Sequence, residues 1–308
     1  MKILIVRFSS IGDIILTTPV IRCLKKQVKN AEIHYLTKAS FAGLLEHNPN
    51  IDKVWGLNDN FKELLVALKK EKFEYVIDLH NNMRTKRVTL NLGVNKSRLN
   101  KLNWGKWWLV QTKKDILPDI HIVDRYLAVA RHFNIKNDDQ GLDFFLPEET
   151  KIDVKLPANF VCYAIGGQHA TKKMPKSKIV ELCASMDKDM VLIGGKEDAA
   201  IGKEIGRQSQ NVINLCGALS INQSALVIKK STIVISHDTG MMHIAAALKK
   251  KVVSIWGNTV PKFGMYPYKP GDGSALFEVP ELSCRPCSKI GYNACPKGHF
   301  DCMNKQDI

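Results

Sequence analysis

The chain contains no apolar run approaching the ~18 residues that a membrane-spanning helix needs. Its opening residues, Met1-Lys2-Ile3-Leu4-Ile5-Val6, enter a strand pattern with no small-residue cleavage site, so the expectation is a cytoplasmic protein without a signal peptide. No strand is followed by a complete GxGxxG or by a Walker lysine loop, which removes the usual dinucleotide and P-loop readings. Composition excludes disorder as well, because 45% of the residues are hydrophobic. Acids are missing between Asp78 and Asp115, where Arg84, Lys86, Arg87, Lys96, Arg98, Lys101, Lys106, Lys113 and Lys114 stand. In a chain of net charge +15 that stretch calls for an anionic partner. Trp104, Trp107 and Trp108 fall inside it. An anionic membrane interface, a nucleic acid, or a solvated face with the tryptophans turned inward all fit this composition.

What is present is alternation. Ile3 to Phe8, Glu32 to Leu36 and Tyr75 to Leu79 read as strands, with helices at Ile14 to Lys26 and Phe61 to Lys70 and another around Asp124-Arg125-Tyr126. The segment Pro147 to Pro157 is charged and bracketed by prolines, which marks a linker. A second set follows, with strands at Phe160 to Ile165, Met190 to Ile193, Val212 to Asn214, Ile233 to Ile235 and Val252 to Trp256. Between them fall helices at Ser177 to Met186, Ala199 to Gln208, Asn222 to Lys230 and Met241 to Leu248. With 308 residues, two α/β domains with parallel sheets are expected, 1–152 and 153–308.

Polar turns stand at the strand ends, where ligands of open α/β sheets collect. Ser9-Ser10-Ile11-Gly12-Asp13 follows the first strand, and Asp13 is either a substrate-facing carboxylate or a helix cap. In the second half, Gly166-Gly167-Gln168-His169-Ala170-Thr171-Lys172-Lys173 offers close backbone approach and phosphate partners. Gly194-Gly195-Lys196-Glu197-Asp198 offers acids for ribose hydroxyls, and Gly257-Asn258-Thr259 follows the last strand. His237-Asp238-Thr239-Gly240 joins a buried strand to a helix whose N-terminal amides suit phosphate, with His243 on its first turn. Four such turns together outline a site of nucleotide size.

Eight cysteines divide into two groups. Cys23, Cys162, Cys183 and Cys216 sit in apolar settings and are expected to pack as small hydrophobes. Cys284, Cys287, Cys295 and Cys302, with His299 nearby, suggest either a compact structural zinc knot or a thiol-rich surface loop.

These motifs carry a resemblance. The whole chain looks like the heptosyltransferases of glycosyltransferase family 9, which help to build the lipopolysaccharide inner core. The likeness rests on Ser9 to Asp13, on His169-Ala170-Thr171-Lys172 with Pro175, on Asp238-Thr239-Gly240 with His243, and on Gly257-Asn258-Thr259-Val260-Pro261. Residues 284–303 also resemble the tail of some members. The resemblance implies the GT-B fold, two Rossmann-like domains facing a central cleft, with an N-terminal acceptor domain and a C-terminal nucleotide-sugar domain. It further implies ADP-heptose as donor, Asp13 as general base, and Thr171, Lys172 and the Asp238-Thr239-Gly240 turn as diphosphate-sugar ligands supported by His243. Two departures leave the exact sugar open: Gly257-Asn258-Thr259 replaces a glycine-proline-threonine, and Met174 replaces an aromatic before Pro175.

The expected reaction is an inverting transfer with Asp13 and Lys172 as the catalytic pair and no cofactor or catalytic metal. Glu197 and Thr259 complete the donor side. Ser10, Gly12, Arg84, Lys86 and Arg87 form the acceptor side, meeting an anionic lipid-linked saccharide at the inner face of the inner membrane, with no role for nucleic acid. Two other classes compete, a different nucleotide-sugar enzyme such as an epimerase, and a non-catalytic anion or membrane binder.

Overall fold

The computed structural model describes residues 1–308. Its contacts divide into two units, residues 1–101 with 120–145 and residues 102–119 with 146–308. The division therefore falls at 145/146 rather than after residue 152, and it moves 102–119 out of the N-terminal unit.

The first unit contains β1 (Lys2–Val6), α1 (Ile11–Ile15), α2 (Thr18–Gln27), β2 (Glu32–Lys38), β3 (Lys53–Leu57), α3 (Phe61–Lys70), β4 (Tyr75–Asp78), α4 (Met83–Leu92) and β5 (Asn95–Arg98). After α5 (Asn103–Thr112), which packs with the second unit, α6 (Ile122–Val129) returns to the first. The sheet order is β3-β2-β1-β4-β5, and every pairing is parallel. β1 is central, and Ile3, Leu4, Ile5 and Val6 are wholly buried, as a strand covered on both faces requires. Leu4, Val6, Leu36 and Val76 pack against Leu64 and Leu68 of α3.

One expected helix, Ile14 to Lys26, is two. Pro19 has no N–H to continue the ladder, and the hydroxyls of Thr17 and Thr18 bond back to the carbonyls of Ile14 and Ile15 at 2.6 and 2.8 Å, closing α1 before α2 begins. Arg22 on α2, buried, then grips Asp138 through two 2.7 Å bonds and also bonds Asp143 and the Gly141 carbonyl. This fastens the last segment of the unit to its second helix.

The second unit contains β6 (Phe160–Ala164), α7 (Lys176–Ser185), β7 (Asp189–Ile193), α8 (Ala199–Gln208), β8 (Val212–Asn214), α9 (Ile221–Lys230), β9 (Ile233–His237), α10 (Gly240–Ala247), β10 (Lys251–Trp256), β11 (Ala275–Glu278) and α11 (Asp301–Asn304). Its sheet is also all parallel, in the order β11-β10-β9-β6-β7-β8. Val161, Tyr163, Ile179, Leu182, Leu192, Ile235 and Ile255 form the core, and Cys302 and Met303 of the tail join it.

Both sheets reverse their winding at one place. In the first unit the chain leaves in opposite directions from β1 and β4, and in the second from β6 and β9. A crevice opens beyond the carboxyl ends of strands at such a switch point. The loops there are Arg7 to Ser10 and Leu79 to Asn82 in the first unit, and Ile165 to Lys173 and Asp238-Thr239 in the second.

Candidate active site

In the first unit the site is built around a carboxylate. Asp13 is the third residue of α1, and its Oδ2 accepts the backbone N–H of Ser10 at 3.1 Å and the Ser10 hydroxyl at 3.0 Å. The other oxygen, Oδ1, lies 2.5 Å from the Arg7 guanidinium, so the carboxylate that caps α1 is also ion-paired. Arg7 is itself buried and aimed by bonds from Nε to the Ser9 carbonyl at 2.9 Å and from its terminal nitrogen to the Leu79 carbonyl at 2.7 Å. Burial pushes the Asp13 carboxyl up, but the charge of Arg7 and the hydrogen bonds from Ser10 outweigh it and hold Asp13 below the ordinary aspartate value. Asp13 is thus an ionised acceptor with 21% of its side chain exposed, enough for a small group to reach it.

His80 closes the other side of this switch point. It follows β4, its ring lies 5.5 Å from that of Phe8, and its buried Nδ1 has no hydrogen-bond partner. Burial, with Arg7 and Lys101 adding, lowers its pKa to about 4, so the ring is neutral. Arg84, Lys86 and Arg87 lie next along the chain, exposed on α4, whose N-cap Asn82 accepts the Thr85 N–H at 2.9 Å. Arg87 lies over the Phe61 ring at 5.1 Å. Gly12 is buried inside α1 and Ser10 caps it.

In the second unit the centre is Asp238. Its Oδ2 takes Lys172 Nζ at 2.6 Å and the Thr259 hydroxyl at 2.8 Å, and Lys172 also reaches the Asp238 carbonyl at 3.2 Å. A bare carboxylate beside a diphosphate would repel it, and this one is balanced by the Lys172 ammonium and hydrogen-bonded by Thr259. Asp238 therefore gathers three turns around the start of α10. Thr239 is the N-cap of that helix in extended conformation and Gly240 its first residue. Buried His243 lies on its first turn. His237 belongs to β9 rather than to the turn. Its Nε2 accepts the Met174 N–H at 3.1 Å and meets the Tyr163 hydroxyl at 3.1 Å, and burial lowers its pKa to about 3.

Gly166 and Gly194 of the second unit permit close packing on Asp198. A Cβ on Gly166 would stand 2.6 Å from Asp198 Oδ2, and one on Gly194 2.9 Å from Asp198 Cβ. Asp198, fully buried, accepts the Gly195 N–H at 3.0 Å and pairs with Lys173 at 3.0 Å, so it holds turns together, while Glu197 stays exposed.

The Thr171 hydroxyl, read as a phosphate ligand, is engaged by the tail, accepting the Tyr292 N–H at 2.8 Å and donating to the Tyr292 carbonyl at 3.2 Å. Three residues have no role legible from the sequence, Arg7, His80 and Arg285, because their burial and much of their bonding depend on loops brought together only by folding. Arg285 is buried and bonds the carbonyls of Gly257 at 2.6 Å, Thr259 at 3.0 Å, Val279 at 2.5 Å and Trp256 at 3.3 Å.

Two parallel α/β units, each with polar turns at its switch point, are the parts of a two-domain nucleotide-binding fold, and solved structures that match it are GT-B heptosyltransferases. The E. coli ADP-heptose lps heptosyltransferase II structure matches 99% of this chain and 98% of its own, with a TM-score of 0.73 at 20% identity. The E. coli heptosyltransferase solved with ADP-2-deoxy-2-fluoro heptose matches 91% and 94%, with a TM-score of 0.69 at 18% identity. In sequence, lipopolysaccharide heptosyltransferase 1 of Campylobacter coli is 26% identical over 293 residues, covering 84% of each chain. The family model described as glycosyltransferase family 9 (heptosyltransferase) matches residues 52–293. The chain belongs to glycosyltransferase family 9.

Proposed function

We propose that the protein transfers a heptose from ADP-heptose to a Kdo- or heptose-containing lipopolysaccharide inner-core acceptor, with inversion. The observation that carries the mechanism is the Ser10 hydroxyl donating to Asp13 at 3.0 Å. An acceptor hydroxyl in that position hands its proton to Asp13 as its oxygen attacks the anomeric carbon from the face opposite the diphosphate. The C1–O bond to ADP breaks as the new C1–O bond forms, and the single displacement inverts the centre. Arg7 keeps Asp13 ionised and ready, while neutral His80 borders the same carboxylate.

The leaving diphosphate gains charge as the bond breaks. Lys172 and the amides at the start of α10, gathered by Asp238, supply the compensating positive potential, so the reaction needs no divalent cation on the phosphates. Glu197, exposed beyond β7, is the candidate for the ribose hydroxyls. Arg84 and Lys86 meet acceptor carboxylates and phosphates. Trp104 and Trp107, 66% and 53% exposed on α5, suit peripheral contact with a lipid surface, and no helix is long and apolar enough to cross a membrane. The names of the relatives support the donor and the acceptor class.

The test is turnover of ADP-heptose with a Kdo-lipid acceptor. Asp13→Ala is expected to lower kcat by about 10²–10⁴-fold with ADP affinity retained. Normal transfer by that variant would refute the base, and activity lost to EDTA but restored by magnesium would refute metal-free departure of the diphosphate.

A further inference from the structure

The segment after β11 runs from Val279 to Ile308 with only the one-turn α11 as regular structure, yet it grips both donor-side turns. Its grips alternate with cysteines. Arg285, between Cys284 and Cys287, is buried against the carbonyls of Trp256, Gly257 and Thr259 and pairs with Glu278 at 2.9 Å. The Cys287 N–H bonds the Asn258 carbonyl at 3.0 Å. Tyr292, between Cys287 and Cys295, interlocks with Thr171. Cys302 is buried in the core beside Met303.

A polypeptide this poor in secondary structure needs another source of order, and the thiols are placed to supply it. Two residues separate Cys284 from Cys287, seven separate Cys287 from Cys295, and six separate Cys295 from Cys302. Cys287 lies near enough to Cys284 and Cys295, and Cys302 near enough to Cys284, Cys287 and Cys295, for the thiols to act on one another electrostatically. His299 adds a second-layer contact. Its Nδ1 accepts the Asp301 N–H at 3.0 Å, which leaves the ring proton on Nε2, 3.9 Å from Cys284 Sγ. Outer partners of this kind orient the sulfur ligands of metal sites.

The other group of candidate ligands, Glu32, His34 and Glu71, already has its ligand atoms within 4.8 Å of one another, but Lys2 pairs with both carboxylates and Lys53 with Glu71. Lysine holds the place of a cation there. The four sulfurs are not tied up in the way lysine ties up those carboxylates, although Lys113 lies near Cys287, and because the sulfurs do not form a group within 4.8 Å a bound ion would draw them together.

We propose that Cys284, Cys287, Cys295 and Cys302 bind one thiophilic divalent cation, zinc by preference, and that the closed knot holds the Ala170–Lys172 and Gly257–Thr259 turns for the donor. Binding replaces four S–H protons with four metal–sulfur bonds and releases the protons to solvent. The ion takes no part in sugar transfer, because all four positions around it are occupied by sulfur. The second half of the proposal rests on the donor reading given above.

The experiment uses the full chain. Elemental analysis of protein purified without added metal is expected to give one zinc or iron per chain, and cobalt added to stripped protein should give the intense visible bands of a tetrahedral tetrathiolate. Absence of bound metal together with failure of the cobalt spectrum overturns the site, as does a disulfide among these cysteines in protein kept reduced. Titration with ADP then compares loaded and stripped protein, and affinity about tenfold or more weaker in the stripped form is expected, restored by zinc and not by magnesium. Equal affinity in both forms overturns the coupling. Loaded protein that binds no ADP strikes the donor reading instead, since metal content and the cobalt spectrum do not depend on it.

Discussion

The Arg7 guanidinium lies 2.5 Å from Oδ1 of Asp13, and the pair sits where the winding of the first sheet reverses. Arg7 overcomes the burial that would otherwise raise the Asp13 carboxyl, so the acid limb of kcat/KM belongs below the ordinary aspartate value of 3.8. In Arg7→Leu the raising effect of burial is unopposed by that charge, and the acid limb should move to higher pH while Asp13→Asn shows almost no activity at any pH. A pH profile of the three proteins decides this, and an unmoved limb in Arg7→Leu would remove Asp13 from the role of base.

Lys172 contributes the one ammonium at the Asp238 turn, at 2.6 Å from the carboxylate. Lys172→Met should weaken ADP binding about tenfold, the loss of roughly 1.4 kcal/mol of charge-assisted hydrogen bonding. Isothermal titration measures it. Affinity equal to that of the parent would move the diphosphate away from this turn.

Charge reversal on α4 tests the acceptor side. Arg84→Glu with Lys86→Glu should raise the acceptor KM severalfold and leave the donor KM nearly unchanged, with the difference shrinking at high salt because both side chains are exposed. Equal effects on both substrates would return α4 to plain solvated surface.

Trp104 and Trp107 together predict surface binding. Replacing both with Ala should reduce sedimentation with anionic lipid vesicles, while turnover of a soluble acceptor fragment is preserved. Loss of both functions alike would mean that α5 had been damaged as structure.

His237 gives a prediction for stability. Its pKa falls from 6.5 to about 3 on folding, so below pH 6.5 the unfolded chain binds a proton that the native protein refuses. Stability is therefore lost as pH drops from 6.5 towards 3, by at most about 1.4 kcal/mol per pH unit from this residue. Urea unfolding at several pH values should show a flatter dependence for His237→Gln than for the parent, whatever the absolute stability of the variant.

How much of this was legible in sequence depended on where the signal resides. The apolar runs of β1, β6 and the first part of β9 are self-evident because a strand buried on both faces is largely apolar. β5, Asn-Lys-Ser-Arg, has no apolar residue and is held at a sheet edge by pairing with β4 alone, so no pattern could reveal it. The basic stretch after Asp78 conceals β5, α4 and α5 alike, and its residues belong to two units that change at 101/102. Among site residues, Asp13, Lys172, Asp238 and Thr259 announce themselves as polar groups at strand ends. Arg7 and Arg285 do not, because besides their carboxylate partners they are aimed by main-chain carbonyls of other loops, which carry no sequence signature.

Residues 102–119 leave the N-terminal unit and pack with a segment made much later. Lys113 bonds the Pro286 carbonyl at 2.7 Å, Lys106 lies over Phe263, and Asp115 pairs with Lys262. During synthesis on the ribosome, α5 with its tryptophans emerges well before any of these partners exists. The nascent chain therefore carries an unpartnered aromatic helix until the last part of translation, and a fragment ending at residue 145 would keep that exposure permanently. A stable N-terminal fragment is better made by excising 102–119 than by truncation alone.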